Sequence, residues 1–235
     1  MTRKSNQDFY AVNAEVPYTF VVCDGMGGHA SGDVASRCAT EGIIKFIKMH
    51  APLDMDEKSA GQLLGGSIKY ANSIVYERAK FKENKGMGTT ADVCLVDFGM
   101  LYIAHVGDGR VYLFREGVIK QITTDHTLVH ELIKNGTITE IEAETHPGRH
   151  MITRAVGTDS SVKWDFICEK LQPGDIIMMC TDGLYNMLCD RELKNTLISS
   201  PVLQEVSETL VQKANDKGGG DNITAVLIRY EEDEK

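Results

Sequence analysis

Four aspartates spread along the chain stand beside apolar, strand-like runs and next to residues that favour a bend in the backbone. Asp24 follows the apolar run that begins at Phe20 and opens a glycine-rich turn, and Asp182 repeats this arrangement. Asp221 precedes the last strand-like run, and Asp8 stands near the start of the chain. Because glycine lets the backbone bend closely around a bound group, each carboxylate is predicted to be presented at the edge of a strand.

Charge repulsion indicates what these carboxylates would do if folding brought them together. Two carboxylates about 5 Å apart at an effective dielectric constant near 20 repel each other by roughly 3 kcal/mol, so four require bound cations. Carboxylate oxygens and a backbone carbonyl such as that of Gly25 suit Mg²⁺ or Mn²⁺ better than zinc. Two such ions can share a bridging water, lower its pKa and direct it at a phosphorus atom. The aspartates therefore predict a phosphate-ester hydrolase.

Competing kinds of chemistry have weaker support in the sequence. His126 and His130 have the spacing of a zinc metalloprotease helix, but the glutamate that would act as general base is missing. The chain has no Walker A loop, no Gly-x-Ser-x-Gly elbow and no cysteine-based phosphate loop. The cysteines form no Cys-x-x-Cys pair and mostly lie in apolar segments, which is typical of core thiols. They are Cys23, Cys38, Cys94, Cys168, Cys180 and Cys189.

Length and composition bound the class of protein. A chain of 235 residues suits one domain, predicted here over residues 1–230 with an acidic tail at 231–235. A net charge of −9 argues against a general affinity for nucleic acid or an anionic membrane. No signal peptide is apparent, and no apolar run approaches the roughly 18 residues of a membrane span. We therefore expect a cytoplasmic protein.

Hydrophobic spacing predicts the helices that must support the aspartates. Apolar residues at helical intervals predict long helices at 32–50 and 57–81, whose apolar stripes are core rather than a cofactor motif. Further helices are predicted at 128–135, 190–198 and 202–215.

Strand-like runs account for most of the remaining chain. They lie at 9–14, 89–98, 101–106, 110–115, 118–123, 163–168, 175–180 and 223–230. The four consecutive runs from 89 to 123 predict an antiparallel meander. Gly107-Asp108-Gly109 joins two of them, and from spacing alone a hairpin turn is the plain explanation of Asp108. The stretch 125–157, with an acidic turn at 139–144, lacks clear periodicity and is predicted to be a surface excursion.

Taken together, these residues closely resemble the metal-dependent protein phosphatase family, also called protein phosphatase 2C, and in particular its compact bacterial serine/threonine phosphatases. The resemblance covers nearly the whole chain. Its motifs are Arg3-x-x-Asn6-Gln7-Asp8, Asp24-Gly25-Met26-Gly27-Gly28-His29, Gly88-Thr89-Thr90, Val106-Gly107-Asp108-Gly109-Arg110, Asp125-His126-Thr127, His146-Pro147 through Thr153-Arg154-Ala155-Val156-Gly157, Thr181-Asp182-Gly183-Leu184 and Gly220-Asp221-Asn222. Each motif is weak alone, but the whole set in this order is specific.

The resemblance implies an α+β fold, namely an αββα sandwich of two antiparallel sheets flanked by helix layers, with the metal centre at one end between the sheets. It implies two Mn²⁺ or Mg²⁺ ions and a third, weaker one. By the same resemblance the ligands are Asp24 bridging two ions, Gly25 through its carbonyl, Asp182 and Asp221 on one ion, Asp8 on the other mainly through water, and Asp108 with Asp182 on the third. The implied activity is hydrolysis of phosphoserine and phosphothreonine on proteins by direct attack of a metal-bridging hydroxide.

The resemblance also assigns catalytic roles, with two departures. Arg3 resembles the guanidinium that grips the substrate phosphate, where a planar fork outperforms lysine. Animal and plant members have a histidine, the proposed general acid, where this chain has Met26. The leaving-group proton must then come from a metal-bound water or from His126, for which a structural role in its turn is the alternative. The loop usually written Gly-Asp-Ser-Arg has Gly109 in place of serine. Only Met1 and Thr2 precede Arg3, where members of the family usually have a further strand.

The expected partners are phosphoproteins, including a cognate serine/threonine kinase and its substrates, and the expected state is a monomer with no nucleic acid or membrane partner. Residues 126–157 correspond to the flap that varies with substrate in this family. A catalytically silent binding module with this fold is an alternative, although such relatives usually lose metal aspartates. A metal-dependent nuclease is another, but it would require a basic groove that the acidic composition disfavours.

Overall fold

The computed structural model describes residues 5–27 and 31–232. The strands in these residues are β1 (Asp8–Asn13), β2 (Tyr18–Met26), β3 (Gly88–Thr89), β4 (Ala91–Asp97), β5 (Met100–Val106), β6 (Arg110–Arg115), β7 (Val118–Gln121), β8 (Asp165–Lys170), β9 (Ile176–Cys180) and β10 (Ala225–Arg229). They form two sheets in which every pair is antiparallel. The first sheet has the order β1-β2-β4-β5-β8, with β3 pairing to β2, and the second has the order β10-β9-β6-β7.

The helices agree closely with the hydrophobic spacing. They are α1 (Ser31–His50), α2 (Glu57–Ala79), α3 (Leu128–Lys134), α4 (Glu140–Glu144), α5 (Asp182–Tyr185), α6 (Asp190–Leu197) and α7 (Leu203–Asp216). The start of α2 is fixed by a capping box, in which the Asp56 side chain accepts from the Ser59 amide and the Ser59 side chain bonds back to the Asp56 backbone. Local signals of this kind explain why the long helices were predictable.

Three apolar layers hold the fold together. Ile43 of α1 packs in one layer with Val93 of the first sheet. Ile103 of the first sheet and Ile177 of the second share the layer between the sheets. Leu210 of α7 belongs to the layer beneath the second sheet. This order of helices, sheet, sheet and helices is the predicted αββα sandwich, and the α+β fold class is confirmed.

Strand β9 illustrates how the sandwich presents a carboxylate. Ile177 and Met179 contribute to the layer between the sheets, whereas Met178 and Cys180 contribute to the layer beneath the second sheet. Because successive side chains point to opposite faces, a strand covered on both faces reads as a continuous apolar run. The run stops where the strand leaves the core, and Asp182 follows within two residues.

The predicted four-strand meander is wrong. β4 pairs with β5 and β6 pairs with β7, but β5 lies in the first sheet and β6 in the second. The loop Gly107-Asp108-Gly109 therefore crosses between sheets and is not a hairpin turn. Strand periodicity is the same in both sheets, so it cannot show which sheet a strand joins.

Two short helices also differ from the predictions. The acidic turn expected at 139–144 is helix α4, which begins with a capping box between Thr139 and Glu142. Helix α5, of 4 residues, was not predicted, because one helical turn is too short to show periodicity.

Among the residues that the structure describes, no helix has both the length and the apolar character required to cross a membrane.

Candidate metal centre

Asp8 and Asp24 lie directly opposite each other on neighbouring strands. They are register partners in the β1–β2 pair, and such partners have Cβ atoms about 5 Å apart. Asp8 is buried and Asp24 is half-buried. Like charges in opposed positions destabilise a sheet. The pairing therefore favours the binding of positive charge between these two side chains.

Two threonines at the ends of strands of the second sheet, one directly after β9 and one directly before β10, hold one oxygen of Asp8. Thr181 Oγ1 donates to Asp8 Oδ2 at 2.9 Å, and Thr224 Oγ1 donates to the same oxygen at 2.7 Å. The Thr224 amide donates in turn to Thr181 Oγ1 at 3.1 Å. The other oxygen, Asp8 Oδ1, is buried without a hydrogen-bond partner in the described part of the chain. A buried carboxylate oxygen with no partner is costly, and a cation bound there would recover that free energy.

The loops that carry Asp182 and Asp221 are brought to the same place by strand pairing. Asp182 follows β9 and Asp221 precedes β10, the antiparallel neighbour of β9. A side chain added at Gly183 would collide with the backbone oxygen of Asn222, so the two loops are in close contact. Asn222 Oδ1 accepts from the Gln7 amide at 2.9 Å, which joins the second loop to the residue before β1.

Burial and mutual repulsion disfavour the charged forms of these carboxylates. Burial raises the pKa of Asp8 to about 6, with Asp182 and Asp221 adding to the rise and the threonine hydrogen bonds opposing it. The pKa of Asp24 is raised well above its ordinary value by burial, then by Asp8, Asp182, Asp108 and Asp221. Each of these acids therefore acts on Asp24 in the same direction as burial, and their assignment as one set of metal ligands stays a prediction.

Gly25 lies where a side chain would not fit. Its amide donates to the Gln7 backbone oxygen at 3.0 Å, and an added Cβ would collide with the backbone oxygen of Gly32 in α1. The segment is therefore held tightly against both neighbours. The role of the Gly25 carbonyl as a metal ligand stays a prediction.

Asp108 lies at the edge of the same cluster. Its side chain is buried, and its pKa is raised to about 7 by burial, then by Asp182 and Asp125. The preceding Gly107 has a φ of 110°, in the left-handed region that favours glycine. Asp182 therefore acts electrostatically on Asp108, and the third metal site that the two acids would share stays a prediction.

The glycine at position 109 has a physical reason in this structure. A Cβ there would overlap Oδ2 of Asp92, a side chain that is only 1% exposed. The other oxygen of Asp92 lies 2.6 Å from His105 Nδ1, and His105 Nε2 lies 3.0 Å from the Thr124 backbone oxygen. The serine usual in this loop would therefore collide with a buried Asp92–His105 pair.

The geometry of His126 favours a structural role. Its Nδ1 accepts from the Gly107 amide at 3.1 Å, so the neutral ring carries its proton on Nε2, which lies 3.2 Å from Asp165 Oδ2. Arg154 Nη1 also approaches Nε2, and it donates to Asp165 Oδ1 at 2.6 Å. Burial, then the neighbouring His105, lowers the pKa of His126 to about 4. Its role as general acid stays a prediction that these contacts do not support.

Two groups of residues need separate mention. The first group was predicted to belong to the site but lies outside the described ranges, and the second contacts the site but was not predicted from the sequence. Arg3, Gly28 and His29 are in the first group. Thr181 and Thr224 are in the second, although the position of Thr181 beside Asp182 was an available signal. Thr224 gave none, because its hydroxyl meets Asp8 only through the contact between the two sheets.

The donor set fits Mg²⁺ or Mn²⁺. It consists of carboxylate oxygens with a nearby backbone carbonyl, which these hard cations prefer. Within 5–27 and 31–232, no group of three or more histidine, cysteine, aspartate or glutamate side chains is arranged so that it could hold a metal ion by itself. Ions of this type keep several bound waters and need only one or two carboxylates each. A loose group of acids with one unpartnered buried oxygen therefore suits such ions.

Comparisons with known proteins agree with this geometry. A family model described as "Protein phosphatase 2C" matches residues 2–227. A putative protein phosphatase 2C-type of Streptococcus pyogenes is 37% identical over 236 residues, covering 99% of this chain and 94% of that protein. The solved serine/threonine phosphatase of S. agalactiae is 32% identical with a TM-score of 0.90, over 98% of this chain and 96% of that one. The catalytic domain of the phosphatase PstP, solved with 2 manganese ions, is 30% identical with a TM-score of 0.83, over 97% and 92% of the two chains.

Proposed function

Because this chain belongs to the protein phosphatase 2C family and is a serine/threonine phosphatase that depends on divalent metal, we propose that its reaction takes place at the aspartate cluster. The observation that carries this proposal is the opposed pair Asp8 and Asp24, with one oxygen of Asp8 buried and unpartnered among the described residues. The substrates are phosphoproteins, and the bond that breaks is the phosphate ester of a serine or threonine side chain.

Each acid has a proposed place around the ions. Asp24 would serve two ions, Asp182 and Asp221 would hold one of them, and Asp8 would hold the other mainly through water. The Gly25 carbonyl would be a further ligand of this pair. Asp108, together with Asp182, would hold a third and weaker ion. The ions are Mn²⁺ or Mg²⁺, and Mn²⁺ is favoured by the manganese-bound relative.

When bound, such ions activate a water for attack on phosphorus and offset the negative charge of the phosphate. The chain contributes orientation. Thr181 and Thr224 fix one oxygen of Asp8 from the opposite sheet, so its second oxygen is held in one direction. Arg3 grips the phosphate, as the family resemblance implies. His126 as general acid rests on the family resemblance alone, because both of its ring nitrogens are engaged by protein groups.

Further features of the function belong to the same proposal. Residues 1–230 form one domain, and the segment 126–157 acts as a substrate-dependent flap. The protein is a cytoplasmic monomer, and its partners include a serine/threonine kinase whose phosphorylation it reverses.

The test combines metal removal with one substitution. Protein treated with EDTA should lose turnover of a phosphothreonine peptide and of p-nitrophenyl phosphate, and added Mn²⁺ should restore both. Asp24→Asn should lower kcat by about a thousandfold or more, since several kcal/mol of metal-dependent stabilisation are lost. Asp54→Asn, at an exposed acid before α2, is the matched control and should behave as wild type.

Near-normal turnover by Asp24→Asn would refute the assignment of the site. Binding of the phosphopeptide without turnover at any metal concentration would support the silent binding module. Cleavage of DNA in a parallel assay, with the phosphopeptide untouched, would indicate the nuclease.

A further inference from the structure

Asp108 and Asp182 both lie beyond the end of one ladder of strand pairing. In the β6–β9 pair, Arg110 is opposite Cys180 and no later pair follows. Asp108 is two residues before Arg110, and Asp182 is two residues after Cys180. The two acids therefore sit on chain segments that leave the sheet side by side and are no longer held by the ladder.

A tyrosine links these two segments. Tyr185 is the last residue of α5, the helix that Asp182 begins. Its hydroxyl donates to the backbone oxygen of Asp108 at 2.9 Å. The hydrogen bond is made to the backbone of Asp108 itself. A change in the distance between α5 and the loop would therefore move Asp108.

The ring of Tyr185 is itself fixed by an arginine. The Arg110 guanidinium carbon lies 3.6 Å from the centre of the ring. Arg110 donates to Asp125 through Nε and through Nη2, the latter at 2.7 Å, and its Nη1 donates to the Tyr112 hydroxyl at 3.1 Å. A planar guanidinium held by a two-point carboxylate contact has little freedom, so the stacked ring has little freedom either.

Arg110 also places a positive charge beside Asp125, one of the acids near Asp108. Asp125 is one of the acids that raise the pKa of Asp108, and the guanidinium binds that carboxylate directly. The loop is held on its other side by Gly107, whose amide donates to His126 and whose carbonyl accepts from the His126 amide. The Tyr185 hydrogen bond therefore ties an otherwise anchored loop to the helix that Asp182 begins.

We propose that Tyr185 is a positioning residue that sets the separation of Asp108 and Asp182 and so controls the weakest of the divalent-metal sites. This inference rests on the proposed function, because it takes the shared Asp108–Asp182 site from there. A metal site loses affinity when its ligands must be brought into place during binding, since ordering them then costs part of the binding free energy.

The test is Mn²⁺ binding to the complete chain without substrate, measured by calorimetry and by the electron paramagnetic resonance signal of free Mn²⁺. Tyr185→Phe removes the hydroxyl and keeps the ring against Arg110. The dissociation constant of the weakest site should rise by about fivefold, the equivalent of one ordinary hydrogen bond. The tighter sites should keep their wild-type constants.

The matched control is Tyr112→Phe. That substitution also removes a tyrosine hydroxyl, but this one accepts a hydrogen bond from Arg110, whereas the Tyr185 hydroxyl donates to the Asp108 loop. It should leave all the Mn²⁺ constants within twofold of wild type. Thermal unfolding of both variants without metal shows whether either loses stability.

Three results would overturn the inference. The weakest constant of Tyr185→Phe could match wild type, Tyr112→Phe could weaken it equally, or Tyr185→Phe could weaken every site alike. Wild-type protein that binds only two ions would overturn it too, while leaving the proposed phosphatase site intact. Failure of the proposed function would instead appear as absent metal-dependent turnover in wild-type protein.

Discussion

The two ends of the β6–β9 strand pair carry buried aspartates in opposite electrostatic situations. At one end, Asp108 and Asp182 are near each other, and the pKa of Asp108 is raised to about 7 by burial and by acidic neighbours. At the other end, Asp175 is 2% exposed and accepts from Arg115 Nε at 2.8 Å and Nη2 at 2.6 Å. The Gln172 amide donates to Asp175 as well, at 2.8 Å.

The pKa shifts express this difference. Burial alone would raise the pKa of Asp175, but the hydrogen bonds from Arg115 and from the Gln172 amide outweigh it, and the pKa falls below its ordinary value. At the Asp108 end, neighbouring acids act in the same direction as burial. A buried acid with a protein cation is therefore a structural element, whereas buried acids gathered together are suited to an external cation.

The largest effect should come from replacing an acid at the crowded end, meaning the end of the β6–β9 pair that carries Asp108 and Asp182. Asp182→Asn removes a proposed ligand of two ions, so kcat toward a phosphopeptide should fall by about a thousandfold or more. The same substitution relieves repulsion on Asp8, Asp24 and Asp108, so the metal-free protein should be at least as stable as wild type. Activity assays and thermal unfolding in EDTA measure the two effects. A variant that is clearly less stable than wild type in EDTA but keeps its specific activity would reverse the roles assigned to the two ends.

Asp175→Asn should show the opposite behaviour. It removes the charge of the buried carboxylate that accepts two hydrogen bonds from the half-buried Arg115, so the free energy of unfolding should fall by about 2 kcal/mol. Turnover at 25 °C should stay near wild type, because the substitution is at the far end of β9. Urea unfolding and initial-rate kinetics test this. Unchanged stability would show that the ion pair contributes nothing beyond its desolvation cost.

The dependence of stability on pH at acidic pH should distinguish Asp175 further from the acids at the other end of the strand pair. Because the pKa of Asp175 is lowered in the folded state, its contribution is present above the unfolded value of about 3.9 and is lost as pH falls through the folded value. The stability difference between wild type and Asp175→Asn should therefore be full at pH 7 and shrink below about pH 4. Urea unfolding in EDTA at a series of pH values measures it. A difference that stays constant down to pH 2 would mean that the ionised carboxylate is not its source.

A smaller effect should reveal how closely the crowded end is packed. Gly109→Ala places a methyl group against the buried Asp92 carboxylate, and the free energy of unfolding should fall by about 1–2 kcal/mol. In an Asp92→Ala background the added methyl should cost clearly less, because the oxygen it strikes is gone. A double-mutant cycle on metal-free protein gives the coupling. If the stability effects of Gly109→Ala and Asp92→Ala were strictly additive, the added methyl group would not be striking Asp92, and the loop would have moved to avoid it.

The sequence made the proposed ligands recognisable, because each acid stands where a local pattern changes. Asp24 and Asp182 are preceded by apolar runs and followed by glycine. Strand pairing then places Asp8 opposite Asp24, and it places β9, which precedes Asp182, beside β10, which follows Asp221. The long helices were predictable for a similar reason, since amphipathic spacing and caps are local.

Contacts that depend on how the two sheets meet were not predictable. The change of sheet at Asp108 left no trace in the pattern, since β5 and β6 have similar strand character. The Thr224 hydroxyl on Asp8 joins residues far apart in the chain, and the Tyr185 hydroxyl reaches a backbone oxygen, which any residue type would supply. The preference for Gly109 became understandable only once Asp92 was seen beside it.

The two threonine hydroxyls on Asp8 have a consequence for the lifetime of the protein. Asp8 comes from one half of the sandwich and the hydroxyls from the other, so the cation pocket exists only while the halves are docked. A bound ion that the unfolded chain cannot hold adds RT ln(1 + [M]/Kd) to the free energy of unfolding. Metal supply would then govern the enzyme's resistance to proteolysis together with its turnover, and starvation for manganese would deplete the protein as well as silence it.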